Sequence, residues 1–168
     1  AAENYVSSGM LTYKFIGDCD SLSKDFKNLY KNIIIQVTDQ ETNDLTKSVK
    51  YLLDYGITEF NIVGATGKRE DHTLGNISLI MDYMNMGANV RMYTDYGVFI
   101  PCHDTCTFST NPKQQLSIIN FDAKGIYSKD LKYPLSDFTK WWQGTLNETI
   151  SDSVTIEAEG DYLVYINY

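Results

Sequence analysis

Three short stretches hold residue types that do chemistry: Gly-Asp-Cys-Asp-Ser at 17–21, Asp-Gln-Glu-Thr-Asn-Asp at 39–44, and Gly-Ala-Thr-Gly-Lys-Arg-Glu-Asp-His-Thr-Leu-Gly-Asn at 64–76. Their carboxylates, among them Asp18, Asp20, Asp44 and Asp71, would repel one another in a shared cleft unless a cation sat between them. Hard oxygen ligands with no Cys/His cluster suit Mg²⁺, which usually also coordinates substrate phosphates. Gly64 and Gly67 let a backbone approach a phosphate closely, and Arg69 has the planar fork to clamp one. The 64–76 stretch is not a standard phosphate loop. Ile62 stands where G-x-x-x-x-G-K-[ST] needs its first glycine, and Arg69 stands where that motif needs Ser or Thr. Each piece also has a plain reading: Asp18–Asp20 as a turn with a helix cap, Asp44 as a first-turn helix acid, Lys68-Arg69 as a solvated loop, His72 as a polar residue at a helix start.

The chain around these stretches has 168 residues, enough for one domain or two small ones. Apolar residues make up 43% and charged residues 21%, the balance of a soluble globular protein. A net charge of −8 argues against a nucleic-acid partner, which needs a basic face. It leaves an anionic substrate open, because a metal ion and a few bases reverse the field locally. No apolar run approaches the ~20 residues of a membrane span, so no membrane partner is expected. The three cysteines, Cys19, Cys102 and Cys106, do not suggest a disulfide framework and fit a reducing cytosol. Cys102-His-Asp-Thr-Cys106 reads either as metal ligands, with His72 the only other histidine, or as two small apolar residues.

The elements that must position these residues follow from periodicity. Residues 13–18 and 32–39 read as strands. Residues 43–56 read as a helix with Asn43 as N-cap, an apolar stripe of Leu45, Val49, Leu52 and Leu53, and Gly56 at its end. Residues 59–64 form a strand. Residues 71–87 form a helix with Leu74, Ile77, Ile80, Met81 and Met84 on one face, and 89–95 form another strand. Alternation of strand and helix predicts an α/β fold with a parallel sheet. Ligands then bind beyond the carboxyl ends of the strands, where all three stretches should rise on the same edge. After residue 96 the segments are β-like, and the last two suggest a hairpin around Gly160-Asp161. The expected organisation is an α/β domain over 1–96 and a small all-β, sandwich-like domain over 97–168.

On these residues the sequence resembles the thiamine pyrophosphokinase family. The family's G-D-x-D-S segment is matched by Gly17, Asp18, Asp20 and Ser21. Its Gln and Asp four apart are matched by Gln40 and Asp44. Its long G-A-x-G-x-R-x-D-H-x-L-x-N signature is matched by Gly64, Ala65, Gly67, Arg69, Asp71, His72, Leu74 and Asn76. The resemblance implies transfer of pyrophosphate from ATP to the thiamine hydroxyl. Mg²⁺ would be held by Asp18, Asp20, Asp44 and Asp71, and ATP by Gln40, Gly64, Gly67, Arg69, His72 and Asn76. In the tail, Tyr133-Pro134-Leu135 matches. The turn expected to bind thiamine has Gly144, Thr145 and Asn147 in place but Leu146 where a serine is common. Thr145, Asn147 and Trp142 are the implied thiamine residues. An aromatic wall of Trp141 and Trp142 would suit a cationic thiazolium, and core or interface packing is the equal alternative. The resemblance further implies a cytoplasmic homodimer with the active site at the subunit interface. Family members begin with another strand and a D-G-A segment, so ~30–40 residues are expected before Ala1, including one more acidic ligand and a strand to cover the sheet edge. The rival readings are another Mg-dependent enzyme acting on phosphate esters or nucleotide sugars, against which the 64–76 signature speaks, and a non-catalytic nucleotide or thiamine binder.

Overall fold

The computed structural model describes residues 2–168. The chain divides into two compact units, Ala1–Ile57 and Thr58–Tyr168. The first contains helix α1 (Ala2–Ser7), strand β1 (Phe15–Gly17), helix α2 (Lys24–Leu29), strand β2 (Ile34–Gln36) and helix α3 (Asp44–Asp54). β1 and β2 pair in parallel, with Phe15 opposite Ile34 and Gly17 opposite Gln36. Phe15, Phe26 and Tyr30 form a ring cluster with centroids 4.5–5.7 Å apart, and this holds α2 to the pair. α3 begins where its N-cap dictates: the Asn43 side chain accepts the Thr46 N–H at 2.8 Å. The helix packs on β1.

The expected apolar stripe of α3 is displaced. Its buried residues are Thr46, Lys47 and Val49, while Leu45, Leu52 and Leu53 are only half-buried. The buried side has turned toward a polar position, and the charge of Lys47 is met there by Asp44 at 3.4 Å. α2 was not foreseen. It is a six-residue helix whose N-cap Ser23 accepts from the Phe26 N–H.

The second unit opens with β3 (Glu59–Val63), α4 (Glu70–Asn85) and β4 (Asn89–Tyr93), a parallel β-α-β unit. Then follow β5 (Gly97–His103), β6 (Cys106–Ser109), β7 (Gln115–Asn120), β8 (Lys124–Tyr127), β9 (Asn147–Glu148), β10 (Ser153–Glu159) and β11 (Asp161–Asn167). A six-stranded sheet runs β3-β4-β5-β11-β7-β9 and a three-stranded sheet runs β6-β10-β8. Side chains of the two sheets share one core that includes Leu116, Ile118, Val154, Ile156, Tyr162 and Val164. The fold is therefore α/β with parallel pairing, followed by a sandwich of antiparallel strands. The larger sheet does not stop between them: Met92 of β4 pairs with Phe99 of β5. β5 carries Pro101 within it, a residue that usually argues against a strand. Its ladder to β4 reaches only Val98 and Phe99, so Pro101 lies past the end of that ladder.

The expected hairpin at Gly160-Asp161 does not form. β10 pairs with β6 and β8, and β11 pairs with β5 and β7. Only Gly160 separates the two strands, and a hairpin reversal needs at least two loop residues. Instead Gly160, at φ +105°, turns the chain from one sheet into the other. Asp104 Oδ1 accepts the Gly160 N–H and Asp122 Oδ1 the Asp161 N–H, at 2.9 and 2.7 Å.

Candidate active site

The acidic residues of the first unit gather where β1 ends and α3 begins. The backbone of Gly17 lies against the Asp44 carboxylate, and the Asp18 N–H donates to Asp44 Oδ1 at 3.2 Å. Asp18 Oδ1 in turn accepts the Asp20 N–H at 3.0 Å, and Gln36 Nε2 donates to the Asp18 carbonyl at 3.0 Å. Cys19 between them adopts φ 62° and is buried, so Asp18 and Asp20 flank a tight left-handed kink. Burial pushes the Cys19 thiol up, away from ionisation. A cleft of about 190 Å³ opens here, lined by Gly17, Asp18, Ser21 and Asp44 among others. Gln40 stands apart: its amide donates to the Thr38 carbonyl at 3.4 Å. Asp39 closes the same turn by accepting from Thr42 and Glu41.

Among the described residues no three His, Cys, Asp or Glu side chains are grouped so as to hold a metal ion. Asp44 Oδ1 is engaged by Asp18 and Lys47, whereas Asp44 Oδ2 and Asp18 Oδ2 accept no hydrogen bond among the described residues. Two carboxylates with open hard oxygens fit Mg²⁺, which is commonly held through one or two carboxylates and keeps water or phosphate oxygens for the rest.

In the second unit the 64–76 stretch forms an open cleft of about 240 Å³, lined by Gly64, Ala65, Thr66, Lys68, Arg69, His72, Thr73 and Asn76. Gly64 and Gly67 take φ of 69° and 86°, conformations that a side chain disfavours. Neither would meet an obstacle within 4 Å if it carried a Cβ, so backbone shape rather than crowding selects them. The Asn76 amide donates to the Ala65 carbonyl at 2.8 Å and ties the loop to the first turns of α4. The positive end of that sixteen-residue helix faces the same loop.

Arg69 and Asp71 form a fork: Nε to Oδ1 at 3.1 Å and Nη2 to Oδ2 at 2.5 Å. The His72 N–H also donates to Asp71 Oδ1, at 2.8 Å. The Arg69 guanidinium, with that N–H behind it, holds the Asp71 carboxyl below the ordinary aspartate range. Both side chains are largely solvent-exposed, so the pair is open to exchange with an incoming anion.

The residues expected to meet thiamine lie around the 3₁₀ turn Trp141–Gly144. Trp142 is 73% exposed and Thr145 Oγ1 donates to its carbonyl at 2.7 Å. Leu146 takes φ 62°, exposes its side chain, and donates its N–H to Ser117 Oγ at 3.1 Å. Asn147 is buried. Its amide binds the Tyr133 backbone in both directions, at 2.9 and 3.1 Å, and its Oδ1 also accepts the Glu148 N–H.

Lys47 and Ser117 escaped the sequence reading. Lys47 carried a signal: it falls three residues after Asp44 on a helix, a spacing that places the two on one face. Ser117 carried none, since it meets Leu146 only through β-sheet pairing.

Two family models match the chain. The thiamin pyrophosphokinase catalytic domain covers residues 1–92 and the thiamin pyrophosphokinase substrate-binding domain covers 97–165. Thiamine pyrophosphokinase 1 of Oryza sativa subsp. japonica is 32% identical over 94 residues, which are 50% of this chain and 35% of that protein. The matched part thus spans about a third of the rice protein's length. Among solved structures, a thiamin pyrophosphokinase family protein from Enterococcus faecalis superposes with a TM-score of 0.81 at 20% identity, over 99% of this chain and 84% of that one. Thiamin pyrophosphokinase from Candida albicans superposes with a TM-score of 0.74 at 18% identity, over 98% and 75%. These superpositions establish a shared fold.

Proposed function

Because the chain belongs to the thiamin pyrophosphokinase family, we propose that it transfers the pyrophosphoryl group of ATP to the hydroxyl of thiamine. The hydroxyl oxygen of thiamine forms a bond to the β-phosphorus and gives up its proton to solvent, the bond from that phosphorus to the bridging oxygen breaks, and AMP departs. The observation that carries this reading is the 64–76 cleft, where positive-φ glycines, an arginine and a helix start surround one cavity. Gly64 and Gly67 shape the backbone for phosphate oxygens. Arg69 exchanges Asp71 for a phosphate, and His72 and Asn76 border the nucleotide. Gln40 is assigned to ATP as well.

Asp18, Asp20, Asp44 and Asp71 are the carboxylates assigned to Mg²⁺, which when bound neutralises charge on the phosphate oxygens. The chain's own contribution is then positioning and a fixed field. On the thiamine side, Trp142 offers an exposed ring for a cationic heterocycle and Thr145 an exposed hydroxyl. Asn147 acts by holding Tyr133 and the turn that carries Leu146. The large exposed side chains Trp141, Trp142, Tyr133 and Ile150 suit a partner surface, and we assign the protein a homodimeric state. Free thiols at Cys19, Cys102 and Cys106 suit the cytoplasm.

The test is a product assay on the full-length protein with ATP, with and without thiamine and Mg²⁺. Thiamine-dependent AMP release that stops in excess chelator is the expected result. ADP in place of AMP would make it a different phosphotransferase, and nucleotide binding without turnover would make it a binding protein.

A further inference from the structure

Lys47 is a charged residue in an uncommon place. Its side chain is 3% exposed and its ammonium lies 3.4 Å from Asp44 Oδ1. Lysine is rarely buried unless it is paired, and burial of an ammonium is costly without a compensating charge. Here the compensating charge is a carboxylate that is itself 61% exposed. Asp44 therefore does not need Lys47 to be solvated, whereas Lys47 needs Asp44. The same Asp44 oxygen also receives the Asp18 N–H, and Gly17 crowds the carboxylate from the other side. One oxygen of Asp44 is thus held by a buried cation and a backbone donor, while its other oxygen stays open.

We propose that Lys47 is a positioning residue that serves as the resident counter-ion of the acidic group, orienting Asp44 and weakening the binding of a free divalent cation. The inference rests on the proposed function, in which Asp18, Asp20, Asp44 and Asp71 receive Mg²⁺. Two effects compete when Lys47 is removed. A freed Asp44 side chain loses some orientation, a modest cost because its backbone and the Asp18 N–H remain. Against this, a unit positive charge in contact with the carboxylate, and shielded from water, opposes a divalent ion by about an order of magnitude or more in affinity. The charge effect wins. With Lys47 in place, a cation that arrives already bound to nucleotide phosphates, its charge largely cancelled, is disfavoured far less than a bare ion. Lys47 thereby biases the site toward the metal–nucleotide complex.

The experiment uses Mn²⁺ alone as probe, titrated into the full-length protein without nucleotide. Lys47→Met, which keeps the length and apolar stem, should bind Mn²⁺ at least about tenfold more tightly than wild type. Lys47→Arg, which keeps the charge, should stay within about twofold. In an Asp44→Asn background the gain from Lys47→Met should shrink. Thermal melts of each variant establish that it is folded. Unchanged or weaker Mn²⁺ binding by folded Lys47→Met, or no detectable binding by that variant, overturns the counter-ion role. The two readings fail separately. Wild-type AMP release with no Mn²⁺ effect in Lys47→Met sinks only the counter-ion role. Tighter Mn²⁺ binding without thiamine-dependent AMP release sinks only the transfer reaction.

Discussion

Gly17 and Asp44 share a space that admits no side chain on the glycine: a Cβ at position 17 would lie 2.8 Å from Asp44 Oδ1 and 2.9 Å from its Cγ. The neighbour that would have to move is the Asp44 carboxylate, and Gly17 itself stands at φ +159°, a conformation that side chains rarely adopt, so the substitution displaces a functional group and strains the backbone together. Gly17→Ala should lower the melting temperature measurably yet leave a folded protein, and lower turnover roughly a hundredfold, the effect of misplacing a positioning group by about an ångström. A melt and a rate measured on the same preparation check this. Loss of folding with no folded fraction would show that the glycine serves the backbone instead.

The Arg69–Asp71 fork sets a second expectation. Asp71→Asn should lower turnover by at least roughly a hundredfold through lost electrostatic stabilisation. Asp54→Asn, at the exposed end of α3, should change little. Equal rates for the two variants would place the site elsewhere.

The fork also has a pH signature. Arg69 depresses the Asp71 pKa, so the stabilisation from this pair is present above the ordinary aspartate value and is lost as pH falls through the lowered one. Carboxyl titration followed by NMR should place Asp71 below an ordinary aspartate, and Arg69→Gln should bring it back up. No change in Arg69→Gln would mean that the His72 N–H alone holds the carboxylate.

His103 runs the opposite way. Its Nδ1 lies 2.7 Å from Asp161 Oδ1, and that hydrogen bond, with Asp104 nearby, raises its pKa above the ordinary histidine value. The stabilisation is complete below the unfolded histidine pKa and is lost as pH rises through the folded one. The imidazole should titrate higher than a free histidine, and Asp161→Asn should lower it.

Leu146 and Trp142 separate strain from recognition. Leu146 is exposed at φ 62°, a conformation that costs a branched residue more than it costs glycine. Leu146→Gly should stabilise the protein by about 0.5 kcal/mol, the left-handed penalty less the added chain entropy of glycine. Trp142→Ala should raise KM for thiamine while leaving KM for ATP near its wild-type value. A rise in both would assign the ring to general packing.

Local rules made much of this protein legible. Asn43 as cap, the 64–69 glycine turn and the elements flanking it depend on residues within a few positions of one another. The sequence also marked Asp18 and Asp44 as partners, because both follow strand ends in an α/β pattern. What escaped it depends on distant chain. No periodicity separates β10 from β11, since sheet membership is set by Ile156 meeting Cys106 and by Tyr162 meeting Cys102. The face of α3 was misjudged because a lysine occupied a position that pattern rules reserve for leucine. Asn147 looked like a ligand from its motif, yet its amide is spent on the Tyr133 backbone, a partner fourteen residues away.

The pairing of Met92 with Phe99 joins a parallel β-α-β unit to an antiparallel sandwich through continuous main-chain hydrogen bonds. A load on one half is therefore borne by the other. Amide protons of β4 and β11 should exchange with solvent together, at the rate of a single opening event. A chain cleaved between Tyr96 and Gly97 should stay associated through that ladder, eluting as one species in size-exclusion chromatography.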